Sequence, residues 1–200
     1  MGDDTTPTPR YPACRSAEEL QANLHDVRVR IAEAARRVDR DPAEVRLIPV
    51  TKTLDDQRIE WAAAAGVELV GENKPQEART KSELFDRLGL RWAMIGHLQT
   101  NKIRHVVGSA AELHSLDRLD LAQKLDRRLQ SEGASLDVFI QVNSSGEESK
   151  FGLDPADVVD FARAIEPMDT LRVRGLMTLA VFSDERAQVE RCFVTMSELR

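Results

Sequence analysis

From Ser16 onward the chain alternates between two kinds of hydrophobic pattern. Leu20, Leu24, Val27, Ile31, Ala35 and Val38 recur at helical spacing, with Ser16 and Glu19 placed as a capping box, so a long amphipathic helix is expected first. Short apolar runs then follow near residues 47–51, 67–71, 91–95, 111–116, 137–143 and 172–177. Helical patterns fill the gaps. Ile59, Ala62 and Ala63 form one stripe closed by Gly66, Pro75 opens another that reaches Leu84, Phe85 and Leu88, and Leu121, Leu125 and Leu129 line a third closed by Gly133. Asp154 and Pro155 start a fourth with Val158, Phe161, Ala162 and Ile165 on one face. A last stripe of Val189, Cys192, Phe193, Met196 and Leu199 ends the chain.

Strands apolar on both faces, alternating with helices, predict an α/β protein with a parallel sheet. An open doubly wound sheet and a closed barrel both satisfy this pattern. No G-x-G-x-x-G follows the first strand, which disfavours dinucleotide binding, whereas Lys52, Glu72-Asn73, Gly96-His97, Asn143 and Met177 all fall at strand ends, as the mouth of a (β/α)8 barrel requires. Six strand runs are two strand-helix units short of that barrel. Such an incomplete barrel leaves strand edges open, so self-association is expected.

The composition narrows the partners. The chain has 200 residues, 42% hydrophobic and 31% charged, with a net charge of -6 and a pI near 5.3. One domain over residues 16–200 is expected, preceded by a disordered tail over residues 1–15 that is rich in Pro, Thr and Asp. The acidic balance gives no electrostatic reason to bind nucleic acid or an anionic membrane. The start Met1-Gly2 formally fits a myristoylation pattern, but acidic Asp3 and Asp4 follow it without basic support. No run nears the roughly 18 apolar residues of a span. Two cysteines without metal-ligand spacing, and His25, His105 and His114 equally scattered, point to a reducing cytoplasm and no metal.

Lys52 carries the candidate chemistry. A lysine at the end of a buried strand, if desolvated, keeps part of its amine neutral and nucleophilic, and such an amine forms imines with aldehydes. The bland alternatives are a solvated charge or a point contact to phosphate. His97, with no carboxylate partner recognisable along the chain, reads as structural. Lys102 and Lys150 read as solvated charges, and Asn143-Ser144-Ser145-Gly146-Glu147-Glu148 as a turn at the barrel rim, because its glutamates would repel phosphate.

Five motifs in order resemble one family. They are Val50-Thr51-Lys52-Thr53; Gly71-Glu72-Asn73 with Gln76-Glu77; Ile95-Gly96-His97-Leu98-Gln99-Thr100-Asn101-Lys102; Gln141-Val142-Asn143 with Glu148-Ser149-Lys150 and Gly152; and Arg174-Gly175-Leu176-Met177. Over residues 16–200 the chain resembles the pyridoxal phosphate homeostasis proteins, whose fold is similar to the N-terminal barrel of alanine racemase. The resemblance implies that Lys52 holds pyridoxal 5'-phosphate as an imine, that Asn73 lies beside the cofactor, and that Met177 packs near it. It also implies a non-catalytic role in intracellular vitamin B6 and amino-acid homeostasis, with transient contacts to enzymes that use the cofactor. Two departures stand out. The Ser-Met-Gly-Met-Ser-like and Arg-Ile-Gly-like segments that hold the phosphate in family members do not occur, and Lys74-Pro75 replaces a Tyr-Val pair. The runner-up is an amino-acid racemase, which needs a second base; the sole tyrosine is Tyr11, in the tail. An aldolase of the imine-forming kind would carry its lysine on a late strand, and the sixth run has none.

Overall fold

The computed structural model describes residues 14–200, which leaves most of the expected tail and Tyr11 outside the described residues. The described residues divide into two compact units, one of residues 14–47 and 54–67, the other of residues 48–53 and 68–200.

In the first unit, helix α1 spans Ala17–Arg36. Ser16 Oγ accepts from the Glu19 amide at 3.2 Å, one half of the expected capping box. The other half is displaced by one residue, since the Glu19 carboxylate takes the Arg15 amide at 2.7 Å. Asp55 caps α2 (Asp56–Ala64) by accepting from the Arg58 amide, and Ile59 and Ala62 are its buried face.

The second unit is built on a parallel sheet of five strands: β1 (Leu69–Glu72), β2 (Arg91–Met94), β3 (Glu112–Leu116), β4 (Leu136–Gln141) and β5 (Leu171–Met177). Their order in space is their order in sequence. A doubly wound sheet reverses direction at a switch point, whereas a barrel adds each strand beside the last, so the sequential order is that of a partial barrel. The first expected run does not form a strand. Only Val50 bridges Gly71, with Thr51 N–H to Gly71 O at 3.0 Å and Gly71 N–H to Pro49 O at 2.8 Å. Pro49 has no N–H to donate, which stops the ladder from extending backwards.

The sheet's two faces differ. Leu113, Val138 and Ile140 are at most 1% exposed and belong to the apolar core with Leu121, Leu125 and Leu129 of α5 (Leu119–Glu132) and Val158, Phe161 and Ile165 of α6 (Val158–Ile165). The alternate positions are polar. Glu112 and His114 are hydrogen-bonded at 2.7 Å, His114 lies against Phe139, and Asp137 takes Arg172 at 2.5 Å and Arg174 at 2.9 Å. Burial pushes the Asp137 carboxyl up, but the hydrogen bonds from Arg174 and Arg172 outweigh it and hold the group below the usual carboxylate range.

The single helix expected from Pro75 is two, α3 (Pro75–Thr80) and α4 (Ser82–Leu88), broken at Lys81. The Thr80 and Ser82 hydroxyls donate to the carbonyls of Glu77 and Arg79, three residues back, in competition with the helical ladder. In α7 (Arg186–Glu198) only Cys192 of the expected stripe is buried, and Phe193 is 56% exposed. Among the described residues no helix is long and apolar enough to cross a membrane.

β5 pairs only with β4 among the described residues, and Val173 on it is 46% exposed. An open edge of this kind pairs with other chains. Light scattering on the 200-residue chain should therefore show concentration-dependent association that an Arg or Pro in place of Val173 reduces; a monodisperse monomer at all concentrations would refute this.

Candidate functional site

The carboxyl ends of the strands are where a parallel barrel places its chemistry. Lys52 lies there, in the turn after the Val50–Gly71 bridge. Lys52 and Asn73 each stand two residues beyond that bridged pair, so the parallel register aligns them. The desolvation expected for Lys52 is not found: it is exposed, and its amine has no hydrogen-bond or ion-pair partner among the described residues. The residue after it, Thr53, has φ of 61°, a left-handed conformation that is costly for a β-branched side chain and that must be held by its surroundings.

Before Lys52 lies a buried network that the sequence did not announce. Thr51 is 1% exposed and Glu72 is fully buried. Glu72 Oε1 accepts from Thr51 Oγ1 at 2.7 Å and from Lys81 Nζ at 2.8 Å, and Lys81 Nζ also donates to the Thr51 carbonyl at 2.7 Å. Lys81 therefore fixes the peptide group that leads directly into Lys52. Glu72 Oε2 is buried with no partner among the described residues.

Asn73 is half-buried, and its backbone lies so close to Gly96 that a Cβ there would stand 2.2 Å from the Asn73 carbonyl oxygen. His97 does have a carboxylate partner, contrary to expectation: Asp117 Oδ2 lies 3.5 Å from Nδ1, and the ring stacks on Phe151 with centroids 3.9 Å apart. Asp117 is itself held by Arg118 at 2.7 Å, which also donates to the Leu98 carbonyl at 2.5 Å. The rim turn after β4 is closed by Asn143, which donates to the Glu147 carbonyl at 2.9 Å and accepts from Ser145 at 3.0 Å. Lys150 is not a solvated charge. It pairs with Glu147 and donates to the Ala180 carbonyl at 3.1 Å, and its hydrogen bond is the main cause that holds the Glu147 carboxyl below its usual range. Met177 ends β5, half-buried, its carbonyl accepting from the Val142 amide at 2.8 Å. It lies at the far end of the strand order from Lys52, so register alone does not bring the two together.

Known proteins are similar to this chain in sequence and fold. The profile of the alanine racemase N-terminal domain matches residues 22–200. The pyridoxal phosphate homeostasis protein of Pseudomonas aeruginosa is 40% identical over 180 residues, covering 90% of this chain and 78% of that protein. The chain belongs to the pyridoxal phosphate homeostasis protein family. The solved structures agree with this membership. A protein of unknown function from Bifidobacterium adolescentis matches 94% of this chain and 80% of its own at 33% identity, with a TM-score of 0.85. PipY of Synechococcus elongatus, solved with pyridoxal phosphate bound, matches 84% of this chain and 81% of its own at 33% identity, with a TM-score of 0.71. The fold is thus the α/β barrel type of the alanine racemase N-terminal domain, present here as a parallel sheet of five strands.

Proposed function

We propose that this chain binds pyridoxal 5'-phosphate through covalent attachment to the Lys52 amine and serves in the homeostasis of that cofactor, without catalysis of its own. The observation that carries the reading is the Lys52 turn: an unpaired, accessible amine whose preceding carbonyl is pinned by Lys81 and whose following residue is held at φ of 61°. An amine so placed is open to an approaching aldehyde and has no counter-ion to displace, although it lacks the desolvation that activates a buried lysine. Family membership and the cofactor in PipY support the same assignment. When bound, the cofactor supplies an electron-accepting ring.

The chain's own residues orient that ring rather than transfer protons on it. Asn73, aligned with Lys52 by the parallel register, offers an amide for a polar edge, and Met177 at the end of β5 offers a soft apolar contact. Residues 16–200 are proposed to act as one cofactor-binding domain. The non-catalytic reading is supported by relatives named homeostasis proteins; His97, the imidazole at these strand ends, is stacked on Phe151 with its Nδ1 buried and not hydrogen-bonded among the described residues. The cytoplasm is the proposed location, with enzymes that use the cofactor as transient partners.

The test is an absorbance spectrum with pyridoxal phosphate, then borohydride reduction and peptide mass mapping, beside Lys52→Ala. An adduct on Lys52, lowered at least tenfold in the variant, is expected. Labelling spread evenly over surface lysines in both proteins would overturn the assignment. Alanine incubated with the loaded protein should keep its configuration; racemisation above that by free cofactor would restore the racemase reading.

A further inference from the structure

Away from the strand ends, a cavity of about 360 Å³ opens between α3, β2 and the 3-10 turn Thr100–His105. Its floor is apolar, made by Ala78, Trp92 and Val107, and its rim carries Arg79, Arg104 and His105. The rim has an unusual hydrogen-bond arrangement. Arg79 Nη1 lies 3.5 Å from His105 Nδ1, and Arg104 Nε lies 3.3 Å from His105 Nε2. A neutral imidazole has one acceptor nitrogen and one N–H, so it can accept from only one of the two arginines. The other guanidinium therefore faces an N–H, whichever tautomer is present. Neither arginine has a carboxylate partner among the described residues.

Two guanidinium groups and an imidazole thus line one cavity with more donors than acceptors, on a chain whose net charge is -6. Burial first, and then the neighbouring charges of Arg104, Arg79 and Lys102, hold His105 below the usual imidazole range. An anion set beside the imidazole N–H would accept from it and from the guanidinium that faces it, which removes the mismatch, and the second arginine lines the same cavity. A tetrahedral oxyanion has acceptors in enough directions for three donor groups, and arginine forks suit phosphate oxygens. The cavity exceeds a bare phosphate and sits at the small end of ligand pockets, with room above Trp92 for an apolar group.

We propose that this cavity is a second ligand site, which takes a phosphate monoester of a small organic molecule through Arg79, Arg104 and His105. It is independent of Lys52. Trp92 in its floor provides the readout, isolated by Trp61→Phe because the chain has two tryptophans. Inorganic phosphate and phenyl phosphate are titrated into the full chain at ionic strength held constant with chloride. Saturable changes in Trp92 emission are expected for both, tighter for phenyl phosphate. Arg79→Gln and Arg104→Gln, both exposed positions, should each weaken binding about tenfold, while Lys52→Ala leaves it unchanged. Unsaturable responses, midpoints shared by wild type and both glutamine variants, or loss in Lys52→Ala would each overturn the proposal, and phenyl phosphate no tighter than phosphate would overturn its organic part.

Discussion

Lys81→Met is expected to lower the unfolding free energy by about 3–5 kcal/mol, the cost of leaving a buried charge without its partner. Glu72 is fully buried and its ion pair with Lys81, whose side chain is 12% exposed, is the only one it makes among the described residues. Methionine keeps the length of the lysine stem but supplies no proton to Glu72 Oε1 and none to the Thr51 carbonyl. Thr51 Oγ1 remains as a single neutral donor to the carboxylate, which is too little to offset its desolvation. The variant Glu72→Leu with Lys81→Met removes the charge as well as its partner and should recover most of the loss, because an apolar pair of similar volume often replaces a buried ion pair at little cost. Urea unfolding of the single and double variants decides this: a double variant as unstable as Lys81→Met alone would sink the ion-pair account. The functional consequence follows from position. Thr51 O is the carbonyl just before Lys52, so releasing it loosens the turn that presents the amine, and the rate at which pyridoxal phosphate labels Lys52 should fall even under conditions where the variant stays folded.

This network also shows where sequence reading stops. The strand runs from residue 67 onward were legible as short apolar stretches between helical patterns, and β1 to β5 overlap them, although the sheet proves apolar on one face only. The run at 47–51 was read as a full strand because Pro49 weighs little in an apolar pattern, yet its missing N–H decides the ladder. Lys81 was invisible for a different reason. It sits inside a continuous helical pattern, where a lysine reads as solvated, and the helix break that turns it inward depends on Thr80 and Ser82 hydroxyls choosing backbone carbonyls. Asp117 escaped notice as the partner of His97 because the two lie at the ends of adjacent strands, β2 and β3, and only the sheet order makes them neighbours. A signal did exist for the polar face of the sheet: Asp137, Phe139 and Gln141, like Arg172 and Arg174, alternate with apolar residues at the period of two that marks a strand with distinct faces. Lys52 stands out by its place at a strand end and Asn73 and Met177 through the family motifs, and the structure adds the register that aligns the first two.

Gly96→Ala is expected to cost about 3 kcal/mol, at the upper end for overpacking, because every atom in the way is backbone. The new methyl would stand 2.2 Å from the Asn73 oxygen, 2.9 Å from its Cα and 3.0 Å from its carbonyl carbon. Neither side can yield cheaply. The Ile95 amide beside Gly96 donates to the Glu72 carbonyl at 3.0 Å, and Ser115 Oγ from β3 donates to the Gly96 carbonyl at 2.7 Å, so the segment is anchored on both flanks. Relief requires breaking one of these bonds or moving Asn73, the residue proposed to lie beside the cofactor. Gly71→Ala is the matched control. Its Cβ would meet Ile95 Cδ1 at 3.0 Å and Val50 Cγ2 at 3.5 Å, both side-chain atoms, and the Ile95 terminus can rotate away at a cost of about 1 kcal/mol. Urea midpoints measured side by side should therefore place Gly96→Ala well below Gly71→Ala. Equal midpoints would mean that the strand ends give way as readily as a side chain does, and the tight backbone approach of Asn73 and Gly96 could not then be what holds Asn73 in line with Lys52.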